Sequence, residues 1–306
     1  MMDILQLDNV SKSFGSLDVI RGLSFAVGER SVFGLIGKNG AGKTTTMKMV
    51  LGLLKPSAGE ITVCGEKVGY GSTKTNRFIG YLPDVPEFYG FMRPMEYLKL
   101  CGEISGLKSQ DIKKRSVELL ELVGLSGVHR KIGGFSRGMK QRLGIAQALL
   151  GAPRLLICDE PTSALDPVGR KEILDILSVA GRQTTIIFST HILSDVERVC
   201  DTIGILDGGR LVLSGRLEDV KNTYRSDSVL IEPADKQMAA AVAHKLKALP
   251  SVKDAQVSEH GVVAKLSGAD AETHDILALL ASEKIAVSKF EVLEPSLEDV
   301  FMGVIG

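Results

Sequence analysis

The chain has 306 residues, 44% of them apolar, and its 37 basic and 37 acidic side chains cancel to a formal net charge of zero. That length suggests about two domains, and the charge balance excludes a bulk basic signal for nucleic acid. No apolar run nears the ~20 residues that cross a bilayer, and the start, Met1 to Gln6, lacks the basic and apolar regions of a signal peptide, so a membrane role requires a partner chain.

Residues 3–10 alternate in hydropathy and read as a strand, with a turn at Phe14, Gly15 and Ser16 and a second strand over 17–27. Residues 31–36 form a short apolar strand, and 45–52 read as a helix ending at Gly52. Strands follow over 59–65 and 78–82, the latter closed by Pro83. From about 92 to 150 the pattern turns helical, with helices opening at Pro94, spanning 109–123 and spanning 138–150, which suggests an inserted helical subdomain. Residues 154–158 are a strand, 169–180 a helix, 184–189 a strand and 193–200 a helix. A hairpin turns on Asp207, Gly208 and Gly209. The polar stretch 221–228 marks a boundary, giving a first domain over 1–222 and a second over 228–306. The second reads strand, helix, strand, strand, helix, strand, the order of a small ferredoxin-like domain, with a further helix starting near Pro295. Cys64, Cys101, Cys158 and Cys200 lie far apart with no C-x-x-C pair, which reads as reduced, mostly buried thiols in a cytoplasmic protein.

The stretch Gly37, Lys38, Asn39, Gly40, Ala41, Gly42, Lys43, Thr44 matches G-x-x-x-x-G-K-[ST] at every fixed position. A loop that wraps phosphate oxygens with backbone N–H groups must turn sharply and bring bare backbone close, which glycine permits. Lys43 supplies a point charge for the outer phosphates, the Thr44 hydroxyl can ligate Mg²⁺, and Thr45 continues into the helix whose N-terminus faces the anion. The apolar strand over 154–158 ends in Asp159 and Glu160, which places both carboxylates at the C-terminal edge of a sheet beside that loop. Asp159 would hold Mg²⁺ through water and Glu160 would polarise the attacking water. Taken alone, the pair is also compatible with a strand followed by an acidic turn.

Phe135, Ser136, Arg137, Gly138, Met139, Lys140, Gln141 and Arg142 sit just ahead of that strand. Here the chain, over residues 3 to about 220, resembles the ABC ATPases. The stretch is similar to the L-S-G-G-Q signature of that family, with Ser136 and Gly138 matching and Phe135, Arg137 and Met139 departing. The resemblance implies a P-loop α/β fold of ABC type, with a mixed sheet core, an N-terminal antiparallel β subdomain and an inserted helical subdomain. It also implies ATP and Mg²⁺ as ligands, and a head-to-tail homodimer in which each ATP lies on one phosphate loop and under Ser136 and Gly138 of the other copy. Asp166, after Ser163, resembles the D-loop; His191 resembles the switch histidine at the γ-phosphate. Phe14 matches the aromatic that stacks on adenine, the alternative being a core side chain in a hairpin. Where the family carries its Q-loop glutamine this chain has Asp84, which either ligates the metal, with a bridging water, or caps the turn after Pro83.

The resemblance implies an ATP-hydrolysing transporter subunit, held at the cytoplasmic face of the membrane by a separate permease chain. Phe88, Tyr89, Phe91 and Met92 are candidates for gripping that permease, burial within the helical block being the alternative. The segment 293–301 resembles the tail of ABC-2-type export ATPases. A soluble ABC ATPase working on ribosomes or nucleic acid is the competing reading; a single phosphate loop, no charged linker and neutral charge speak against it. A domain that binds ATP without turnover is a third, and the presence of both Glu160 and His191 disfavours it.

Overall fold

A computed structural model describes residues 3–72, 74–224, 228–267, 273–293 and 296–305. The chain divides at Leu217/Glu218 into two units.

The first unit opens with two twelve-residue strands, β1 (Asp3–Phe14) and β2 (Leu17–Gly28). With β4 (Ala58–Val63) and β5 (Glu66–Lys67) they make an antiparallel sheet ordered β2-β1-β4-β5. β1 runs four residues past the expected end. Its register against β2 shifts between Leu7 and Val10, where Asn9 takes a positive φ of 47°, so the period-two alternation that reveals a strand is lost after Val10.

The second sheet is built on β3 (Val32–Ile36), β6 (Ile79–Leu82), β7 (Leu155–Asp159), β8 (Thr185–Thr190), β9 (Thr202–Asp207) and β10 (Arg210–Arg216), ordered β10-β9-β3-β8-β7-β6. All neighbours are parallel except the β9–β10 hairpin. Every residue of β3, β7 and β8 is buried, as expected of parallel strands covered on both faces. The hairpin turns on Gly208 and Gly209, both at positive φ, the geometry of a tight primed turn. The main core lies between the two sheets. It takes Leu5, Leu7, Ile20, Leu23 and Val27 from the first, Phe33, Leu35, Ile157 and Ile187 from the second, and Met47, Met49 and Val50 from helix α1 (Lys43–Val50). Phe25 and Phe33 stack across it with ring centroids 5.1 Å apart.

Between β6 and β7 stand three helices, α2 (Pro94–Ile104), α3 (Ser109–Leu122) and α4 (Arg137–Leu149). α2 starts where expected because Pro94 presets the first turn and Glu96 Oε2 accepts from the Arg93 N–H at 2.9 Å. α5 (Pro167–Gly181) follows β7, α6 (Leu193–Val199) follows β8, and α7 (Leu217–Thr223) occupies part of the stretch that reads as unpatterned.

The second unit contains β11 (Ser228–Pro233), α8 (Ala239–Leu246), β12 (Val252–Ser258), β13 (Gly261–Leu266), α9 (Thr273–Ser282) and β14 (Val287–Leu293), then α10 (Leu297–Ile305). Its sheet is antiparallel throughout, ordered β12-β13-β11-β14, which is the ferredoxin-like arrangement. Val229, Ile231, Val262 and Ala264 meet Val242, Leu246, Ile276 and Leu280 in a core of its own. Arg225 to Asp227, and Glu294 and Pro295 of the tail motif, lie outside the described residues.

Candidate active site

The loop over 37–42 leaves β3 between β8 and β9 and enters α1. Its glycines are needed for two different reasons. A Cβ on Gly37 would sit 2.5 Å from the Leu206 carbonyl oxygen, so that position is closed by neighbouring backbone. Gly40 and Gly42 have φ of 84° and 108°, which L side chains rarely adopt. Gly42 forms the N-cap of α1, and its carbonyl accepts from both the N–H and the hydroxyl of Thr46, at 2.9 and 3.0 Å. Lys43 thereby falls on the first turn, two residues before the expected helix start. Its side chain is 6% exposed. Nζ donates to the Gly37 carbonyl at 2.6 Å and the Lys38 carbonyl at 3.3 Å, and pairs with Glu160 Oε1 at 3.2 Å.

Glu160 caps the end of β7 with φ of 48°, an uncommon setting for a residue with a side chain. Ser189 holds it there, because the Glu160 N–H donates to the Ser189 carbonyl at 3.1 Å and to its Oγ at 3.2 Å. The same hydroxyl donates to Asp159 Oδ1 at 2.5 Å, so one serine orients both carboxylate residues. Asp159 is 3% exposed. Burial first, and then the Asp159 charge, push the neighbouring Tyr81 phenol up to about 12. Glu160 Oε2 lies 2.9 Å from His191 Nδ1. A carboxylate only accepts, so Nδ1 is the donor of this contact and Nε2 is left clear of it.

Asn39, Gly40, Gly42, Lys43, Thr44, Thr45, Asp84, Glu160, Ser163 and His191, with Val19, line one pocket of about 440 Å³. The structure therefore brings together most of the residues read from the sequence. Gly37 and Ala41 support the loop from the buried side. Phe14 is 49% exposed, under Lys12 Nζ at 4.8 Å, and is neither in the core nor in the lining. Ser136, Gly138 and Asp166 also lie outside the lining. Ser136 caps α4 by accepting from the Met139 N–H at 3.2 Å, and Asp166 caps α5 by accepting from the Gly169 N–H at 3.0 Å. Asp84 is on the rim; its carboxylate meets the Arg137 guanidinium at 3.4 Å, and its carbonyl accepts from Gln141 Nε2 at 2.8 Å.

Sequence reasoning missed Ser189 and Asp195. Asp195 is 3% exposed and accepts from the Thr162 hydroxyl at 2.6 Å and from Arg170 at 2.7 Å, fixing α6 to α5 and to the turn after Glu160. Ser189 could be found only from the register that places it opposite Asp159 on β7. The thiols divide evenly. Cys158 and Cys200 are buried and Cys64 and Cys101 half-buried; burial pushes all four above their usual pKa.

The fold and pocket together define a P-loop ATPase. Residues 20–163 match the family model described as "ABC transporter", and residues 215–305 match "ATP-binding protein DrrA1-3-like, C-terminal domain". The chain is 38% identical over 99% of its length to the "Uncharacterized ABC transporter ATP-binding protein YxlF" of Bacillus subtilis (strain 168), covering 99% of that protein. It is 36% identical over its full length to the "Bacitracin transport ATP-binding protein BcrA" of Bacillus licheniformis, covering 98% of it. Among solved structures, "Structure of ATP binding subunit of ABC transporter" superposes with a TM-score of 0.66 at 33% identity, over 72% of this chain and 93% of that one. The chain belongs to the ABC transporter ATP-binding proteins. It binds ATP and hydrolyses it as the ATPase subunit of an ABC transporter. Among the described residues no helix is long and apolar enough to cross a membrane.

Proposed function

We propose that residues 1–222 are the ATP-binding domain of an ABC-2-type exporter and that it works as a homodimer on a separate permease at the cytoplasmic face of the membrane. The observation that carries this reading is the Lys43–Glu160–His191 chain of contacts over the phosphate loop. The loop N–H groups and the N-terminus of α1 would hold the phosphates of ATP, with Lys43 on the outer ones. All three Lys43 donors are engaged, one of them by Glu160. A phosphate oxygen is the stronger competitor for that ammonium, and its arrival turns Glu160 toward the attacking water. His191, fixed by Glu160 through Nδ1, presents Nε2 to the γ-phosphate.

Thr44 and Asp159 offer oxygen donors of the kind that suit a hard divalent cation. Thr44 is exposed and lines the pocket, and buried Asp159 has its carboxylate oriented by Ser189. Thr44 and Asp159 would hold Mg²⁺, which when bound supplies charge neutralisation at the outer phosphates. Ser136, Gly138 and Asp166 lie outside the lining of their own pocket, as residues that serve the nucleotide of a second copy would. ATP then favours the closed dimer because half of its contacts come from the partner, and hydrolysis removes that bias. Phe14, exposed at the end of β1, would stack on adenine.

Tyr89 and Phe91 are 57% and 68% exposed, whereas Phe88 packs edge-on against buried Tyr97 at 5.0 Å. The exposed pair is offered to the permease and Phe88 belongs to the helical block. Export follows the tail resemblance and the bacitracin-transport relative, and residues 228–306 are an accessory domain.

The test is Glu160→Gln. ATP turnover should fall by about three orders of magnitude, as expected when a positioned general base is lost, while nucleotide affinity persists and ATP traps the dimer. Turnover near the wild-type rate in that variant removes Glu160 from the catalytic role.

A further inference from the structure

Two departures from the family pattern, Asp84 for glutamine and Arg137 for glycine, are far apart in sequence and meet in space. The Asp84 carboxylate lines the pocket with Lys43, Thr44 and Glu160, and its Oδ1 is 3.4 Å from the Arg137 guanidinium. The approach is built in. β6 lies against α4 with almost no room between them: a Cβ on Gly80 would sit 2.2 Å from the Ala148 carbonyl oxygen, and one on Gly144 would sit 2.5 Å from Leu82 Cδ1. Gln141, fully buried, fastens the Asp84 carbonyl to the same helix at 2.8 Å. The segment carrying Asp84 and the helix carrying Arg137 are thus held at fixed separation.

The charges explain why each residue needs the other. Asp84 adds a carboxylate, beside that of Glu160, to the lining of a pocket that receives a polyphosphate, which repels the ligand. Arg137 is the first residue of α4, and with Lys140 it makes a basic first turn with no acidic residue, which opposes the helix dipole. Each charge is unfavourable alone and compensated by the other. At side-chain exposures of 46% and 43% the pair is too solvated to matter much for folding. Its effect falls on the nucleotide.

We infer that Arg137 is a positioning residue for nucleotide binding in its own subunit, acting by neutralising and orienting Asp84 at the pocket rim. This rests on the ATPase reading of the pocket. It assigns Arg137 a role in cis, distinct from whatever the neighbouring Ser136 and Gly138 do for a second copy, and it makes Asp84 a rim charge rather than a metal ligand.

The experiment measures ADP affinity of the full chain by fluorescence titration, with Mg²⁺ and without it, at low and high ionic strength. The variants are Arg137→Gln, Arg137→Lys, Asp84→Asn and the double Asp84→Asn/Arg137→Gln, with circular dichroism to confirm folding. Arg137→Gln should weaken ADP about fivefold at low salt, with and without the metal, and less at high salt. Arg137→Lys should retain most of the affinity, and the double variant should return to within about twofold of wild type because the uncompensated carboxylate is gone. Wild-type affinity in Arg137→Gln, or a double variant as weak as Arg137→Gln alone, overturns the inference. So does an Asp84→Asn variant that loses affinity only when Mg²⁺ is present, since that is the behaviour of a metal ligand. A wild-type chain with no affinity for ADP fails at the ATPase reading itself and takes this inference with it.

Discussion

Ser189 makes three of the hydrogen bonds on which the paired carboxylates rest: its hydroxyl donates to Asp159 and accepts from the Glu160 N–H, and its carbonyl accepts from that N–H as well. The left-handed backbone at Glu160 costs on the order of 1–3 kcal/mol, and it persists because these bonds over-determine it. Ser189→Ala keeps the strand and the carbonyl contact but removes both hydroxyl bonds. Outer-shell partners of this kind typically contribute 10- to 100-fold, by about the same logic as groups behind a metal ligand. The expected outcome is therefore a kcat reduced at least about tenfold with KM for ATP within about twofold, read in steady-state ATPase assays. Equal losses in kcat and in nucleotide affinity would instead show that Ser189 shapes the phosphate loop as a whole. The phosphate loop, Asp159, Glu160 and His191 were legible because each is a chemically distinctive residue at the end of an apolar strand. Ser189 was not, because a serine ending a strand is ordinary until the strand beside it is known. The Asp84–Arg137 contact was hidden for the same reason: each departure is visible in the sequence, their meeting is not.

At the level of elements, the buried strands β3, β7 and β8 were legible because parallel strands covered on both faces leave unbroken apolar runs. Their order was not, since nothing local in β3 states that β8 and β9 flank it. The helix start read well at Pro94, where proline presets the first turn, and two residues late both at α5, expected from 169 although Asp166 caps it and Pro167 opens it, and at α1, where the cap is a glycine at positive φ rather than a hydroxyl. Elements that meet through buried charge are another blind spot. Asp195 on α6 takes a bond from Arg170 on α5 and one from Thr162 in the turn after Glu160, and it is almost wholly enclosed. Removing one partner of such a cluster leaves Arg170 partly buried without its counter-charge, which typically costs about 3–5 kcal/mol. Arg170 retains 30% exposure, so the lower end, about 3 kcal/mol, is expected for Asp195→Ala in urea unfolding. A loss under about 1 kcal/mol would mean that water reaches Arg170 and that packing alone holds the two helices.

For the whole molecule, the deciding fact is that each unit has its own apolar core. The first is built on Phe33, Met47, Ile157 and Ile187, the second on Val229, Ile231, Val242 and Ile276. Every residue proposed to touch nucleotide belongs to the first. A ligand that binds only the folded form stabilises what it binds, by about 2.7 kcal/mol when present at a hundred times its Kd. Calorimetry of the full chain should therefore resolve two transitions, one of which rises with MgADP and one of which stays in place. In Lys43→Ala neither should respond, because the charge that holds the outer phosphates is gone. If both transitions rise together in the wild type, the C-terminal unit reads the nucleotide state and is part of the switch. If only one moves, its contribution to transport is exerted on another chain, and the search for its role belongs with the permease.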